Sequence, residues 1–291
     1  MGYHSRIDHA FEGALRLPLD MDSKYVIFSD CHRGTGEAND NFIKNEFIYI
    51  AALNYYFNKD FTYIELGDGD ELWENRSMSA IKNMHQQSFN ILSDFFHHNR
   101  FYAVYGNHDM IKKSSRFSDS YFSSYYCDHR MCYQALFPKI TFYPGIILEN
   151  ENNHNIFLTH GHQADILNST FWKLSRFLVR YVWRPLEYLG IPDPTSAAKN
   201  NTRKNSTEKI LTNWAKSNHH ILITGHTHRP MMGTKESPFY NTGSCVSPYG
   251  ITCIEISNGC ISLIKWSLNT TNEQVVYVSK SELAKKNCMG L

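Results

Sequence analysis

Short apolar runs alternate with longer amphipathic stretches along the first two thirds of the chain. The apolar runs, rich in β-branched and aromatic residues, cover residues 24–29, 61–66, 101–105, 155–159 and 220–224. Runs of this length and composition predict β-strands. Helical periodicity over 42–57 and 78–97 separates the first three of them. The alternation is typical of βαβ units and predicts an α/β fold.

After residue 230 the pattern changes to closely spaced strands with Gly, Pro and Asn turns. Within "SNGC", the pair Asn258–Gly259 lies between alternating apolar positions, which strongly indicates a type I′ hairpin. The C-terminal third is therefore expected to form antiparallel sheet. Neither a repeat nor a low-complexity linker interrupts the chain, so we expect one domain over residues 1–291 with an insertion inside it.

Composition and charge are those of a globular protein without a dominant surface field. The chain has 291 residues, of which 42% are hydrophobic and 14% aromatic, enough for a large core. Its 29 basic and 28 acidic residues leave a formal charge of +1, so the net charge does not favour nucleic acid as a partner. No apolar run approaches the roughly 20 residues that span a bilayer, and no apolar leader follows Met1. We expect a soluble, cytoplasmic protein.

Seven cysteines, an odd number, are present without zinc-finger spacing. This pattern favours free thiols over a disulfide framework. Cys127 and Cys132, on either side of His129, could bind a metal or could belong to an ordinary surface loop. The sequence leaves that choice open.

Each of the five predicted strands is followed by polar residues suited to metal binding. In chain order these are Asp30 and His32, Asp68, Asn107 and His108, His160, and finally His226 and His228. The carboxyl ends of strands converge at one edge of an open α/β sheet, so residues distant in sequence can meet there. A single Asp or His at a strand end is commonly a helix cap or turn residue. Five such clusters together favour a metal site.

Carboxylate and imidazole ligands together suit borderline divalent ions such as Mn²⁺, Fe²⁺ and Zn²⁺. A set made only of oxygen ligands would instead have indicated Mg²⁺ or Ca²⁺. The residue types therefore predict a transition-metal centre.

The motifs "DCH", "GDGDE", "GNHD", "HG" and "GHTH", in that order, resemble those of the calcineurin-like metallophosphoesterase superfamily. The resemblance implies a four-layer α/β/β/α sandwich of two mixed sheets flanked by helices, with a two-metal site. One metal would be held by Asp30, His32 and His228. The other would be held by Asn107, His160 and His226. Asp68 would bridge the two, His108 would be the catalytic imidazole, and Glu71 would orient it.

The same resemblance implies a hydrolase that cleaves a phosphate ester or pyrophosphate by attack of a metal-bridging hydroxide, with Mn²⁺ as the foremost metal and Fe²⁺ or Zn²⁺ as alternatives. A nuclease or phosphodiesterase acting on nucleic acid is a second hypothesis, although the chain lacks the distributed Lys and Arg that backbone binding favours. A non-catalytic, phosphatase-like binding protein is a third. The presence of every metal-ligand position and of His108 argues against it.

"GDGDELW" and a helical insertion ahead of "GHTH" resemble the branch of the superfamily that contains UDP-2,3-diacylglucosamine hydrolase. The chain departs from that branch in having His108 where the hydrolase has Arg. The expected substrate is therefore a small or lipid-linked phosphorylated molecule. Candidate substrate contacts are Arg33, His162, Arg176 and Arg180. For His162, a role in capping its turn is equally open.

The insertion, over residues 165–218, begins with a predicted helix at 169–184. At 100° per residue its cations form one narrow stripe on an otherwise apolar helix, made of Lys173, Arg176, Arg180 and Arg184. In one interpretation the helix caps the sheet, buries its apolar sides and leaves the stripe in solvent. In the other it is a lid whose cations receive a phosphate-rich or lipid-linked substrate, or that contacts a membrane surface. The polar stretch 190–209 is then expected to be a turn-rich hinge.

Overall fold

Two large β-sheets form the centre of the computed structural model, which describes residues 2–37, 39–127, 131–150, 155–183, 185–186 and 200–287. The strands are β1 Leu15–Pro18, β2 Tyr25–Phe28, β3 Thr62–Leu66, β4 Phe101–Val104, β5 Ser124–Cys127, β6 Cys132–Ala135, β7 Phe142–Tyr143, β8 Ile146–Glu149, β9 Ile156–Leu158, β10 Ile221–Thr224, β11 Phe239–Asn241, β12 Ile251–Ser257, β13 Cys260–Thr270 and β14 Val276–Asn287. The helices are α1 Tyr3–Glu12, α2 Glu46–Asn58, α3 Met78–Met84, α4 Gln86–His97, α5 Ser115–Phe122, α6 Ile166–Ser169, α7 Trp172–Leu178 and α8 Asn201–Asn218.

Among the described residues, one sheet has seven strands in the order β14-β13-β12-β2-β3-β4-β7 and the other five in the order β1-β8-β9-β10-β11. Both are mixed. In the first, β2, β3 and β4 run parallel while β12 is antiparallel to β2. In the second, β8 and β9 are antiparallel while β9, β10 and β11 are parallel. A β5–β6 hairpin stands apart from both sheets.

Three apolar layers hold the sheets and helices together. Between the sheets, Ile27 and Ile64 of one meet Leu158 and Ile223 of the other. Helices α2 and α4 cover the outer face of the seven-stranded sheet, and α1 and α8 cover the outer face of the five-stranded sheet, where Trp214 packs near Phe157. The predicted four-layer α/β/β/α sandwich is confirmed.

The predicted C-terminal hairpin is present. Asn258 and Gly259 both have positive φ, 50° and 66°, as a type I′ turn requires, and Ser257 pairs with Cys260 on either side. The expectation of antiparallel sheet holds for β12, β13 and β14 but is wrong for β11, which pairs in parallel with β10. A three-residue strand has too few alternating positions to indicate its partner.

The insertion differs from its predicted form. Helix α7 continues at Val179 into a wider π-helical turn that ends at Trp183, so residues beyond Leu178 leave the 100° pattern. Much of the predicted hinge is helical, because α8 begins at Asn201 and Asn200 accepts hydrogen bonds from the first-turn amides of Thr202 and Arg203. Residues 187–199 and Arg184 lie outside the described residues.

The apolar side of this segment faces outward, which corrects the interpretation in which a capping helix buries it. Leu174, Phe177 and Tyr181 are 54%, 55% and 48% exposed. Ile166 and Phe171 extend the same surface. Among the described residues, none of the helices combines the length and apolar character needed to cross a bilayer.

Candidate metal centre

The carboxyl ends of five strands from both sheets meet at one place. Asp30 follows β2, Asp68 follows β3 and Asn107 follows β4, while His160 and His226 follow β9 and β10. Backbone hydrogen bonds continue beyond the strands and hold the loops after them close together. The amides of Asp30 and His32 donate to the carbonyls of Gly67 and Asp68, at 3.1 and 2.9 Å. The amide of Gly225 donates to the carbonyl of His160 at 3.1 Å.

Five of the predicted metal-site residues have left-handed backbone conformations. These are Asp30, His32, Asp68, His226 and His228, with φ between 48° and 65°. Side chains other than glycine adopt this region uncommonly, at a cost of about 1–3 kcal/mol each, and such residues cluster at functional sites. The chain therefore turns sharply at the ends of β2, β3 and β10 and presents these side chains to the same space.

One group of ligand atoms belongs to Asp30, His32 and His228. His228 Nε2 lies 3.0 Å from Asp30 Oδ1, and the Nε2 atoms of His32 and His228 are 3.3 Å apart. His32 Nδ1 donates to a Glu71 oxygen at 2.8 Å. Burial would lower the pKa of His32, but Asp30 and Glu71 outweigh it and raise the pKa well above the ordinary value, so Nε2 must lose its proton before it can bind a cation. A carboxylate oxygen and two imidazole nitrogens that face one another form the donor set that a borderline divalent cation prefers.

A second group belongs to Asp68, His160 and His226. His160 Nδ1 donates to the Leu66 carbonyl at 2.9 Å, which fixes the ring and directs Nε2 inward. Among the buried side-chain atoms without a hydrogen-bond partner in the described part of the chain are three of this region: His160 Nε2, His226 Nε2 and Asn107 Oδ1. Buried polar atoms without a partner are costly, and a cation bound among them would satisfy all three.

Asp68 lies between the two groups. Its Oδ2 is 3.1 Å from His160 Nε2, without hydrogen-bond geometry, and 3.8 Å from His32 Nε2. Its Oδ1 accepts a hydrogen bond from the His108 amide at 2.8 Å. Asp68 thus reaches a histidine of each group and is also held by the third motif. Asp30 Oδ1 lies 3.7 Å from His32 Nε2 and 4.0 Å from His160 Nε2.

Glu71 organises two histidines. One of its oxygens accepts from His108 Nδ1 at 2.8 Å and the other from His32 Nδ1 at 2.8 Å. The indole of Trp73 stacks on His108, with ring centroids 4.3 Å apart. The bond to His32 and the stacking of Trp73 were missed from the sequence, although Trp73 stands two positions after Glu71 in the quoted motif.

Two glycines allow the loops to approach this closely. A Cβ on Gly106 would lie 2.0 Å from Asp68 Oδ1, and one on Gly67 would lie 2.6 Å from His160 Nδ1. Gly67 also has φ +85°, a conformation that side-chain-bearing residues rarely adopt. Any larger residue at either place would displace a ligand.

The protonation of the site follows from burial and from the pairing of charges. Burial by itself would raise the pKa of Asp68, but His160 and His108 outweigh it and hold the pKa well below the ordinary value. Burial lowers the pKa of His226 to about 4, helped by the neighbouring His160, so this imidazole is neutral and free to bind a cation. For His160, burial is outweighed by Asp68 and Asp30, which raise the pKa to about 9.

The expected substrate contact of Arg33 is wrong. Its guanidinium is buried beside Glu65 and Asp70, 2.8 and 2.7 Å away. Cys31 packs in the core beneath the outer helices, in agreement with its alternation away from the ligands. His129, the centre of the Cys127–Cys132 alternative, lies outside the described residues.

Arg180 binds protein carbonyls. Its guanidinium donates to the carbonyls of Leu72 and Trp73, both at 2.7 Å, and so ties the insertion to the loop that follows Glu71. Arg176 lies over the Trp172 ring, 5.0 Å from its centroid. His162 is buried, with an Nδ1 that has no hydrogen-bond partner among the described residues, and its ring centroid is 5.5 Å from that of His160.

The sequence profile of the calcineurin-like phosphoesterases matches residues 23–230, more than half of the chain. The chain belongs to the calcineurin-like phosphoesterase family. Members typically bind two divalent metal ions, and the described residues supply the two groups of possible ligands given above and a third, His32, Glu71 and His108, that shares His32 with the first. No curated protein sequence matches it.

Two solved structures show weak likeness to this phosphoesterase. Vps29 of Chaetomium thermophilum is 10% identical, with a TM-score of 0.42 over 92% of this chain and 99% of that one. The same protein complexed with the RaPID-derived cyclic peptide RT-D3 is 10% identical, with a TM-score of 0.39 over 91% of this chain and 97% of that one.

Replacing Asp68 by Ala should abolish binding of two metals per chain while the protein remains folded, because Asp68 reaches both groups of ligands. Metal analysis after reconstitution with Mn²⁺, alongside circular dichroism, measures both properties. Asp94→Ala, at an exposed position of α4, is the control and should bind two ions. Two ions retained by Asp68→Ala would contradict the assignment.

Metal binding by this phosphoesterase should release protons and strengthen as the pH rises. In the metal-free protein the pKa of His160 is about 9 and that of His32 is raised well above its ordinary value, so each imidazole is protonated at neutral pH and must lose its Nε2 proton to bind a cation. Apparent affinity should therefore increase up to about pH 9, by roughly tenfold per unit for one proton released. Calorimetric titration with Mn²⁺ in buffers of different ionisation enthalpy measures the number of protons released on binding. An affinity for Mn²⁺ that does not change between pH 6 and 9 would show that binding is not coupled to deprotonation.

Proposed function

We propose that the chain is a dimetal-dependent hydrolase of a phosphate ester or pyrophosphate bond. The observation that carries this proposal is the placement of Asp68 between two groups of ligand atoms, with His108 beside them and held by Glu71. Asp30, His32 and His228 would hold one ion, and Asn107, His160 and His226 the other. Mn²⁺ is the metal we propose, with Fe²⁺ or Zn²⁺ as substitutes.

When bound, two such ions neutralise phosphate charge and lower the pKa of a water molecule. The protein's own side chains provide orientation and proton transfer. Glu71 accepts the Nδ1 proton of His108, which leaves Nε2, on the opposite side of the ring, for the substrate. Burial would lower the pKa of His108, but Glu71 and Asp68 outweigh it and raise the pKa. His108 is thereby suited to donate a proton to a leaving-group oxygen.

We also propose that the insertion over residues 165–218 acts as a lid within a single domain. Arg180 attaches it to the loop after Glu71, and within the insertion one nitrogen of Arg203 donates to both oxygens of Asp165, at 3.0 and 3.1 Å. The contact at Arg180 lies one residue from Glu71, so the position of the lid and the orientation of His108 are connected through the same loop.

The outward apolar face of the lid supports contact with an anionic lipid surface. Ile166, Phe171, Leu174, Phe177 and Tyr181 are exposed on one segment. Cations accompany them, because Lys113, Lys173 and Arg176 all lie within 6.0 Å of the Trp172 ring centroid. An apolar face flanked by cations is typical of interfacial membrane binding. A lipid-linked substrate, in keeping with the resemblance to the UDP-2,3-diacylglucosamine hydrolase branch, would then reach the site from the membrane.

A hydrolysis panel with Mn²⁺-reconstituted protein tests the proposed reaction. The substrates are an aryl phosphate, an aryl diester, a nucleotide-diphosphate sugar and single-stranded DNA. We expect metal-dependent hydrolysis of at least one of the first three and none of the DNA. His108→Asn should retain both metals and lower kcat by roughly 10²-fold or more, as expected for a general acid–base group.

Preference for DNA would favour the nuclease hypothesis. Absence of all turnover with two metals bound would favour a binding protein. Near-normal turnover of His108→Asn with both metals bound would show that His108 has another role.

The double variant Leu174→Ser, Phe177→Ser should weaken binding to vesicles containing anionic phospholipid at least tenfold, because each buried side chain contributes roughly 1.5–3 kcal/mol. Hydrolysis of a small aryl phosphate should stay within about threefold. Phe47→Ser, at a residue on α2 that is 68% exposed, is the matched control and should bind vesicles normally. Equal vesicle binding by all three proteins, or none by the wild type, would contradict membrane contact.

A further inference from the structure

Five charged side chains form a fully buried network beside the metal centre. Arg33, Glu65, Asp70, Asp109 and Lys112 are each no more than 2% exposed. Buried charges are costly unless they are paired and hydrogen-bonded, and apolar residues of similar volume often replace such pairs without loss of stability. The network therefore calls for an explanation other than stability.

Two cations hold the three carboxylates of this network together. Arg33 Nε donates to Asp70 at 2.7 Å, and its NH2 group donates to both oxygens of Glu65 at 2.8 Å. Lys112 Nζ lies 2.7 Å from Asp70 Oδ2 and 2.6 Å from Asp109 Oδ2. Burial would lower the pKa of Lys112, but Asp109 and Asp70 outweigh it and raise the pKa, so the ammonium remains charged.

The same residues fix the backbone of the loops that carry the metal-site side chains. Asp109 Oδ1 accepts from the Gly106 amide at 2.7 Å, and Asp109 Oδ2 accepts from the Gly69 amide at 3.1 Å. The Arg33 amide donates to the Gly69 carbonyl, and the Glu71 amide donates to the Arg33 carbonyl, both at 3.0 Å. The residues fixed in this way are neighbours in sequence of His32, Asp68, Asn107 and His108.

We propose that Arg33 and Lys112 are positioning residues that hold the loops 30–33, 67–71 and 106–109 in the register needed for metal binding. This inference rests on the proposed metal centre but concerns side chains that do not touch it. Asp70 and Asp109 share the Lys112 ammonium, so without it two buried carboxylates would face each other. Their repulsion would separate the loops that carry Asp68 and Asn107, and the two groups of ligands would lose their common geometry.

Lys112→Met tests this proposal, because it keeps the apolar stem of the side chain and removes the charge. We expect the apparent affinity for Mn²⁺, measured by calorimetry, to fall about tenfold or more, in the range found for residues that orient metal ligands. The absorption spectrum of the Co²⁺-substituted protein should change as well. Circular dichroism and thermal unfolding verify that the variant is folded.

A charge-balanced double variant provides the rescue. Lys112→Met leaves three carboxylates with one cation, whereas Lys112→Met, Asp70→Asn restores the original excess of one carboxylate and should recover part of the lost affinity. Lys280→Met is the control. Lys280 lies on β14, the far edge strand of the same sheet, and its Nζ is 2.6 Å from an oxygen of Glu255. This substitution should alter stability but not metal affinity.

Wild-type affinity in folded Lys112→Met would overturn the positioning role and leave the proposed function intact. Equal loss of affinity in Lys280→Met would also overturn it. Failure of the wild type to bind metal would overturn both proposals. If Lys112→Met does not fold, Arg33→Lys replaces it as the test, because it keeps the charge but cannot bind Asp70 and Glu65 at the same time. An affinity of this variant for Mn²⁺ within threefold of the wild type would contradict the positioning role.

Discussion

Asp30, Asp68 and Glu71 are carboxylates buried in one site, and the surrounding structure depends on keeping all three ionised. Burial alone would favour their protonated forms, yet the pKa of each is held below its ordinary value. Histidines from four loops supply the compensating charge and hydrogen bonds. Interactions between charges are stronger in a buried site of low dielectric constant than at a surface. The histidines that stabilise the three carboxylates come from strand ends of both sheets, so the site forms only where the two sheets meet.

The same constraint explains the layout around the centre. Asp70 lies between Asp68 and Glu71, and Asp109 directly follows His108, but both carboxylates are buried in the charged network and need cations of their own. Arg33 and Lys112 supply them. Each of the three loops thus has side chains in the site and a side chain in the buried network, and the loop backbone is held between two sets of charges.

The insertion adds a connection from the surface to this centre. The Arg180 guanidinium donates hydrogen bonds to the carbonyls of residues after Glu71, and Glu71 in turn accepts hydrogen bonds from His32 and His108. Because the cation faces inward, the apolar residues of the same segment face solvent. A surface of this kind is unusual for a protein that has no apolar partner, and it favours coupling between a lipid surface and the orientation of His108.

The sequence by itself predicted the five strands that lead to the site and the polar residues at their ends, because apolar runs and turn residues are local signals. The sandwich was implied by the resemblance of its motifs to the superfamily. Asn258–Gly259 specified its hairpin for the same reason. Short elements such as β1 and α1 escaped detection, since α1 buries little more than Ile7 and Ala10. Only the tertiary structure decided which way long cationic side chains point. Arg33 and Arg180 were expected to contact the substrate. Their guanidinium groups instead bind carboxylates and carbonyls of residues that are distant in sequence, and no local pattern encodes such contacts.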